Sequence, residues 1–441
     1  MRKMKDSGIE WIGEIPSDWD VLKLKQLCSM PITDGTHKTP EYADESDGVP
    51  FLSSKDVTSG KIDWTNIKHI TKDLHKILHK EIAVKRNDVL LAKNGTTGIA
   101  ALVDCDTVFD IYVTLAVLRP NQKIVLPNYL IYIVNSAVSK IQFDEHLIGI
   151  GVPNLHLNVI NGVKALVPPI DEQKKIADFL DEKCGEIDSI RSDIQKQIDI
   201  LNDYKKSVIT EVVTKGLNPK AKLKDSGIEW IGKIPEEWNV IRLKNASWLK
   251  GRIGWQGLRA EEFIDEGPFL ITGTDFQKGV VNWDTCVHIS EQRFNQDKAI
   301  QIKENDLLIT KDGTIGKLAV VKNCPEKVSL NSGVFIIRNN GKYKYFDKYM
   351  YYVLQSEQFN LWFDLSNAGN STIKHLNQEN FYNFAFTYPS LSEQKAIADY
   401  LDEKCSEIDA TIADKQKQLE TLDEYKKSLI FEYVTGKKEV S

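Results

Sequence analysis

The sequence predicts an α+β protein: two mixed α/β globular domains, separated by two long antiparallel coiled-coil helices and related by a pseudo-two-fold internal repeat. Three observations predict it. Two framing blocks recur nearly unchanged, landmarks between them recur in order, and each copy ends in a long stretch with a seven-residue apolar step.

The repeat comes first, because it decides how many folds need explaining. Residues 5–16 read KDSGIEWIGEIP and residues 224–235 read KDSGIEWIGKIP, identical at 11 of 12 positions at an offset of 219. EQKKIADFLDEKCGEID (172–188) and EQKAIADYLDEKCSEID (393–409) match at 14 of 17 positions at an offset of 221. Tyr204-Lys205-Lys206-Ser207 returns as Tyr425-Lys426-Lys427-Ser428. The interiors diverge, yet Pro50-Phe51-Leu52 matches Pro268-Phe269-Leu270, and Asp88-Val89-Leu90-Leu91 matches Asp306-Leu307-Leu308-Ile309. Likewise Lys93-Asn94-Gly95-Thr96-Thr97-Gly98 matches Lys311-Asp312-Gly313-Thr314-Ile315-Gly316, and His156-Leu157-Asn158 matches His375-Leu376-Asn377. Insertions of one or two residues between landmarks are what loops tolerate. The boundaries that follow are 1–169 (opening segment and first globule), 170–216 (first helix), 217–389 (second segment and globule) and 390–441 (second helix).

Within the globules, short β-rich runs at 88–92, 99–103, 111–118, 306–310, 317–321 and 333–338 are bounded by Gly, Asn, Asp and Pro, as strands are. Residues 127–141 and 345–361 carry helical spacing. The terminal stretch of each copy differs. Leu180, Ile187, Ile194, Leu201 and Val208 recur every seven residues, with Ile176, Ile190, Ile198 and Tyr204 beside them. Leu401, Ile408, Leu422 and Leu429 repeat the step in the second copy, interrupted at Lys415, with Ile397, Ile412 and Leu419 alongside. This is a coiled-coil seam. Pro168-Pro169 and Pro389 stop the preceding domains, and Gly216 and Gly436 end the helices. A helix of about 44 residues is about 65 Å long and cannot bury its stripe alone. The second globule lies between the two helices in the chain, so one leads away and the other back, which predicts an antiparallel pair.

At 441 residues the chain is too long for one core. It has no apolar run of membrane-spanning length and no apolar core near its N-terminus that could serve as a secretory signal. The six cysteines (Cys28, Cys105, Cys184, Cys286, Cys324 and Cys405) include no C-x-x-C pair, which argues against a structural zinc and a disulfide framework and fits a reducing cytoplasm. The net charge of −6 seems to oppose a nucleic-acid partner, but a phosphate backbone senses only the face it meets. Residues 23–160 carry 15 Lys/Arg against 15 Asp/Glu and residues 242–386 carry 18 against 16. The acid sits on the helices, at 8 against 11 over 170–215 and 8 against 12 over 388–441. That distribution permits DNA binding.

A rigid spacer between two like domains suits a target with a local dyad, and duplex DNA has one. Nearly invariant blocks beside freely differing loops suggest two unequal half-sites, with the blocks facing something symmetric, such as two copies of one partner. The candidate readers are polar, glycine-bearing loops. In the first copy these are Asp34, Gly35, Thr36, His37, Lys38 and Thr39, followed by Ser53, Ser54 and Lys55. In the second they are Lys250, Arg252, Trp255 and Gln256, followed by Thr272 and Thr274. Lys and Arg contact phosphates or guanine edges, and Gln pairs with adenine. The rival reading is surface turns rich in Gly and Asp for turn geometry alone. The Lys-x-Gly-Thr-x-Gly motifs add Lys93, Asn94 and Thr96, and Lys311 and Thr314. No Gly-Lys-Ser/Thr follows, so this is no nucleotide P-loop but a strand-connecting turn that could meet a phosphate.

At these residues the chain resembles the specificity subunits of type I restriction–modification enzymes. The resemblance rests on the Gly-Ile-Glu-Trp-Ile-Gly-x-Ile-Pro-x-x-Trp blocks (Gly8 to Trp19, Gly227 to Trp238), on Asp34-Gly35-Thr36-His37, and on the Pro-x-x-x-Glu-Gln-Lys-x-Ile-Ala helix starts from Pro168 and Pro389. It spans essentially the whole chain. It implies two target recognition domains reading a bipartite, asymmetric sequence in double-stranded DNA. The partners it implies are two adenine methyltransferase subunits and ATP-dependent translocating nuclease subunits. S-adenosylmethionine, ATP and Mg would then be used by those subunits, with no cofactor on this chain.

Catalysis on the chain itself is not expected. An adenine methyltransferase needs Asn/Asp-Pro-Pro-Tyr/Phe, and the Pro168-Pro169 pair stands between Val167 and Ile170. Glu172-x-Lys174 and Glu393-x-Lys395 could suggest a nuclease, but both open helices, where acids favour the dipole. The histidines form no metal-spaced cluster with cysteine, and His75 and His79 read as a solvated helix face without acidic company. The other readings are a stand-alone restriction or modification enzyme and a coiled-coil scaffold that binds two proteins without reading DNA.

Overall fold

The computed structural model describes residues 2–57, 60–95, 97–147, 153–253, 257–340, 342–368 and 374–440. Thr96, Trp255 and Gln256 lie outside them. The chain forms two compact units, Met1–Ile194 with Lys417–Ser441, and Gln195–Gln416. Each unit therefore takes part of both long helices, Ile170–Lys215 and Leu391–Val434, so compactness divides the chain within the helices and not at their ends. The physical reason is the seam: each globule shares its core with the helix ends nearest it. No helix among the described residues is long and apolar enough to cross a membrane.

In the first unit, one sheet orders its strands Thr33–Asp34, Leu115–Leu118, Val89–Ala92, Ala100–Leu102. A second orders them Asp110–Ile111, Val49–Leu52, Lys68–Ile70, Tyr42–Ala43. The expected strand over 111–118 is thus two short strands in different sheets. Its apolar residues serve two cores: Ala116 and Leu118 face one, Ile111, Leu115 and Val117 the other. The second unit repeats the plan, with Ser247–Gly251, Val334–Asn339, Leu307–Thr310 and Leu318–Val320 adjacent in one sheet. Val287–His288, Ile264–Ile271 and Val328–Leu330 form the other.

The helical stretches 127–141 and 345–361 each prove to be two helices, Pro127–Asn135 with Ala137–Asp144, and Asp347–Gln355 with Glu357–Ser366. The break falls on equivalent serines. Ser136 and Ser356 are extended (φ −77° in both), and each hydroxyl donates to a carbonyl three residues back, Ile133 O and Val353 O, at 2.7 Å. A side chain that bonds its own backbone competes with the helical ladder.

The recurring blocks now have a mechanical meaning. Trp19 and Trp238 are buried, and each indole Nε1–H donates to the helix-opening glutamate, Glu172 and Glu393, at 3.0 Å. The next residue is a fully buried glutamine. Gln173 accepts from Leu126 N and donates to Ile124 O and Pro168 O; Gln394 accepts from Phe346 N and donates to Pro389 O. Glu172 and Glu393 are therefore structural. The glycines that end the helices, Gly216 (φ +74°) and Gly436 (φ +67°), press against the same tryptophans, Trp238 and Trp19. A Cβ would strain both backbones and strike the indole or Pro16.

Along the helices the pairing within each unit is antiparallel. In the first unit Lys426 meets Asp188 at 2.6 Å and Arg191 meets Asp423 at 2.7 Å; in the second Lys205 meets Asp409 at 2.6 Å and Lys415 meets Gln197. Leu180, Ile187, Ile194, Leu401, Ile408 and Leu429 are buried and Leu201, Val208 and Leu422 half-buried. Ile190 and Tyr204, expected in the stripe, are exposed at 49% each. The buried line runs instead through Cys184 and Cys405, one turn beyond Leu180 and Leu401.

Candidate nucleic-acid interface

In the first unit the polar loop after Thr33 is anchored from within. Gly35 runs so close to the neighbouring strand that a Cβ would lie 2.0 Å from Ile111 O, so only glycine fits. Asp34 accepts from Lys93 and stands 3.3 Å from His37 Nε2. Lys93 is buried, and its charge is committed to Asp34. His37, Lys38 and Thr39 project into solvent, with Thr36 and Asn94 half-buried beside them. The structure thus separates two roles that the sequence ran together: Asp34, Gly35 and Lys93 hold the loop, and His37–Thr39 are the reachable surface.

The loop at Ser53 is held by a buried carboxylate. Asp56 accepts from Ser53 N at 2.7 Å and Ser53 Oγ at 3.0 Å, and also pairs with the exposed Lys55. Ser54 N donates to Thr114 Oγ1 at 3.0 Å. The second unit repeats this frame: Asp275 accepts from Thr272 N at 2.7 Å and Thr272 Oγ1 at 2.9 Å. Thr274 is exposed above it, its hydroxyl 2.7 Å from that of Thr272.

A matched ion pair supports each sheet. Arg119 Nε donates to Asp88 Oδ1 at 2.8 Å while its Nη2 reaches Ala83 O at 2.6 Å. Arg338 Nε donates to Asp306 Oδ1 at 2.6 Å while its Nη2 reaches Gln301 O at 2.7 Å. The signal was present in the sequence, since both members recur near the repeat offset. The strands that flank each Lys-x-Gly-Thr-x-Gly motif pair antiparallel, Val89–Ala92 with Ala100–Leu102 and Leu307–Thr310 with Leu318–Val320.

Around the second turn lies an open groove of about 360 Å³. It brings together Lys250, Arg252 and Lys311, and adds His375, Asn377 and Gln378. Lys311 Nζ sits 5.0 Å from the Phe335 ring centre, His375 Nδ1 is 2.8 Å from Asp312, and Lys250 Nζ is 3.9 Å from Asp297. Thr314 is exposed on the turn, its carbonyl taking the Thr310 hydroxyl at 2.5 Å.

Arg252 departs from expectation. It is 1% exposed, with Nε donating to Leu330 O at 2.8 Å and Nη2 to Ser329 Oγ at 3.1 Å. Burial, followed by nearby Arg293, pulls its pKa down. A guanidinium committed to the sheet is not on the surface where a base edge would be read. His75 and His79 also change meaning, because the fold supplies the acid the sequence does not place near them: Asp110, whose Oδ2 is 2.6 Å from His75 Nδ1.

Two units on one plan, sharing buried pins and differing in the loops those pins hold, define a duplicated recognition protein. The family model described as the type I restriction modification DNA specificity domain matches residues 16–199 and again 235–421. The chain belongs to that family; it is a specificity subunit with two target recognition domains, and it is not itself a catalyst. It is 26% identical over 431 residues to the type I restriction enzyme MjaVIII specificity subunit of Methanocaldococcus jannaschii, covering 96% of this chain and 93% of that one. Against the EcoBI specificity subunit of Escherichia coli it is 22% identical, covering 90% and 81%. In fold it is similar, with a TM-score of 0.68 at 17% identity over 96% of this chain and 99% of the other, to a chain of the structure reported as "Structural basis underlying complex assembly and conformational transition of the type I R-M system".

Proposed function

We propose that each recognition domain reads one half of a bipartite, asymmetric duplex sequence, and that the chain delivers two methyltransferase subunits, and restriction subunits where cleavage occurs, to that site. The carrying observation is the contrast between frame and loop. The pins Asp56 and Asp275, and the pairs Asp88–Arg119 and Asp306–Arg338, repeat from unit to unit. The exposed residues beside these frames, His37-Lys38-Thr39 in the first unit and Lys55 against Thr274, do not. Unequal loops on equal frames support two different half-sites. Exposed residues that do repeat, such as Tyr204 and Tyr425, suit two copies of one partner. In this reading S-adenosylmethionine, ATP and Mg belong to the partner subunits and the complex works in the cytoplasm.

The test is a domain exchange. Replacing residues 20–160 with the equivalent part of another family member, in a cell supplying the methyltransferase, should change one half of the sequence whose adenines become methylated. Change in both halves, or in neither, refutes domain-wise reading. Footprinting with the methyltransferase partner separates this from the scaffold reading, which predicts no protected DNA.

A further inference from the structure

We propose that the first unit holds a divalent transition-metal ion of the zinc class, ligated by His75, His79 and Asp110. The two histidines stand one turn apart on the helix Lys72–Glu81, so both rings leave the same face, with centroids 4.9 Å apart. Asp110 opens the short strand Asp110–Ile111 that pairs with Val49–Leu52. One donor atom from each residue lies within 4.8 Å of the others, and this is the group of three such ligands among the described residues.

The hydrogen bonding is incomplete in a way that points to a cation. Asp110 is 1% exposed, and a buried carboxylate must be paired or bound to a metal. His75 satisfies Oδ2 at 2.6 Å. Oδ1 and the nearby His79 Nδ1 are both buried with no hydrogen-bond partner among the described residues. They face each other at 3.9 Å, beyond hydrogen-bond reach. A zinc ion holds nitrogen and oxygen ligands at about 2.0–2.2 Å, which places neighbouring donors of a tetrahedron about 3.4 Å apart. Closing the gap by about half an ångström would satisfy both orphaned atoms at once, with His75 Nδ1 losing its proton to solvent and exchanging its hydrogen bond to Oδ2 for the ion. A simple His75–Asp110 pair explains one histidine and leaves the other unexplained.

The second unit shows that the scaffold does not require this group. There the strand that pairs in the same way with Ile264–Ile271 is Val328–Leu330, and the facing helix Glu291–Asn295 packs through Phe294, 219 residues on from His75. An apolar contact occupies the position, so the acid and its two imidazoles are particular to the first recognition domain. Imidazole and carboxylate donors without thiolate suit zinc and its neighbours in the transition series. Three protein ligands leave a fourth position, and the half-buried His75 and His79 leave it open to solvent. Bound there, the ion would clasp the helix to the strand.

The experiment uses the full chain, stripped with a chelator and titrated with Zn²⁺, with metal content measured after dialysis. One ion per chain is expected, together with the visible absorption of a low-coordinate site when Co²⁺ replaces zinc. His79→Gln should weaken binding by about 100-fold or more, and Asp110→Asn likewise. His375→Gln, which alters the histidine–aspartate pair of the other unit, should bind as the parent does. Asp110→Asn could fail to fold, so His79→Gln, checked by circular dichroism, carries the test. Absence of stoichiometric zinc, or equal affinity in His79→Gln and the parent, overturns the proposal. Because the readout is zinc itself, its failure is distinct from any failure of DNA reading.

Discussion

Ile187 and Ile190 are one helical turn apart on the first long helix, and their exposures differ tenfold, 5% against 49%. Ile187→Asp should therefore unfold the first unit, and Ile190→Asp should hardly be felt. Truncating a buried isoleucine costs about 2–4 kcal/mol in lost transfer energy and cavity. The new carboxyl cannot stay ionised there without a partner. Its cheapest escape is protonation, which at pH 7 costs about 4 kcal/mol for a group of ordinary pKa near 3.9. The sum, about 6–8 kcal/mol, matches the whole stability of a typical domain. In urea, followed by circular dichroism, the parent's midpoint should fall by at least about 2 M, or the transition should vanish. Ile190→Asp, a surface change, should stay within about 0.5 kcal/mol. Equal destabilisation by the two variants would refute the assigned seam.

Four further outcomes follow from the same geometry. Gly35→Ala should cost about 3 kcal/mol or more, because its Cβ would lie 2.0 Å from Ile111 O, whereas Gly162→Ala, with nothing within 4 Å, should be nearly neutral in the same melt. Glu172→Gln should cost about 1.5–3 kcal/mol and Glu393→Gln about 1 kcal/mol, since Glu172 bonds Arg2 as well as Trp19; equal losses would count against the Arg2 contact. Arg252→Ala should lower thermal stability by about 1–3 kcal/mol in the absence of DNA, by removing the donor to Leu330 O; an unchanged melt with altered base preference would restore it as a reader. Burial pushes the thiols of Cys28 and Cys286 up to about 12, so at pH 8 only about 1 in 10,000 is thiolate. Both should resist iodoacetamide in the native chain and label in denaturant, as mass spectrometry would show; equal rates would refute the suppressed ionisation of the half-buried Cys28 and the buried Cys286.

Most of the architecture was legible because its signals are periodic or duplicated. A seven-residue step, a proline before a helix and a glycine after it act over one or two turns, and the repeat marks them twice. The hairpins at Lys93 and Lys311 were legible for the same reason. The site was legible in outline only. Asp34 and Lys93 were both singled out as surface readers, yet they pair with each other, 59 residues apart in the chain.

The sequence by itself determined the duplication, the two long helices, the helix ends and the family, since each depends on residue order at short range or on recurrence. Tertiary structure alone decided which of Ile187 and Ile190 enters the seam, that Arg252 lies beneath the surface, and that Asp110 meets His75 and His79. Each of those outcomes depends on what is packed opposite a side chain, and distant segments supply that only after the sheets have formed. Burial is a property of the assembled core, so equal residues on one helix, or equal charges on one loop, acquire opposite roles there.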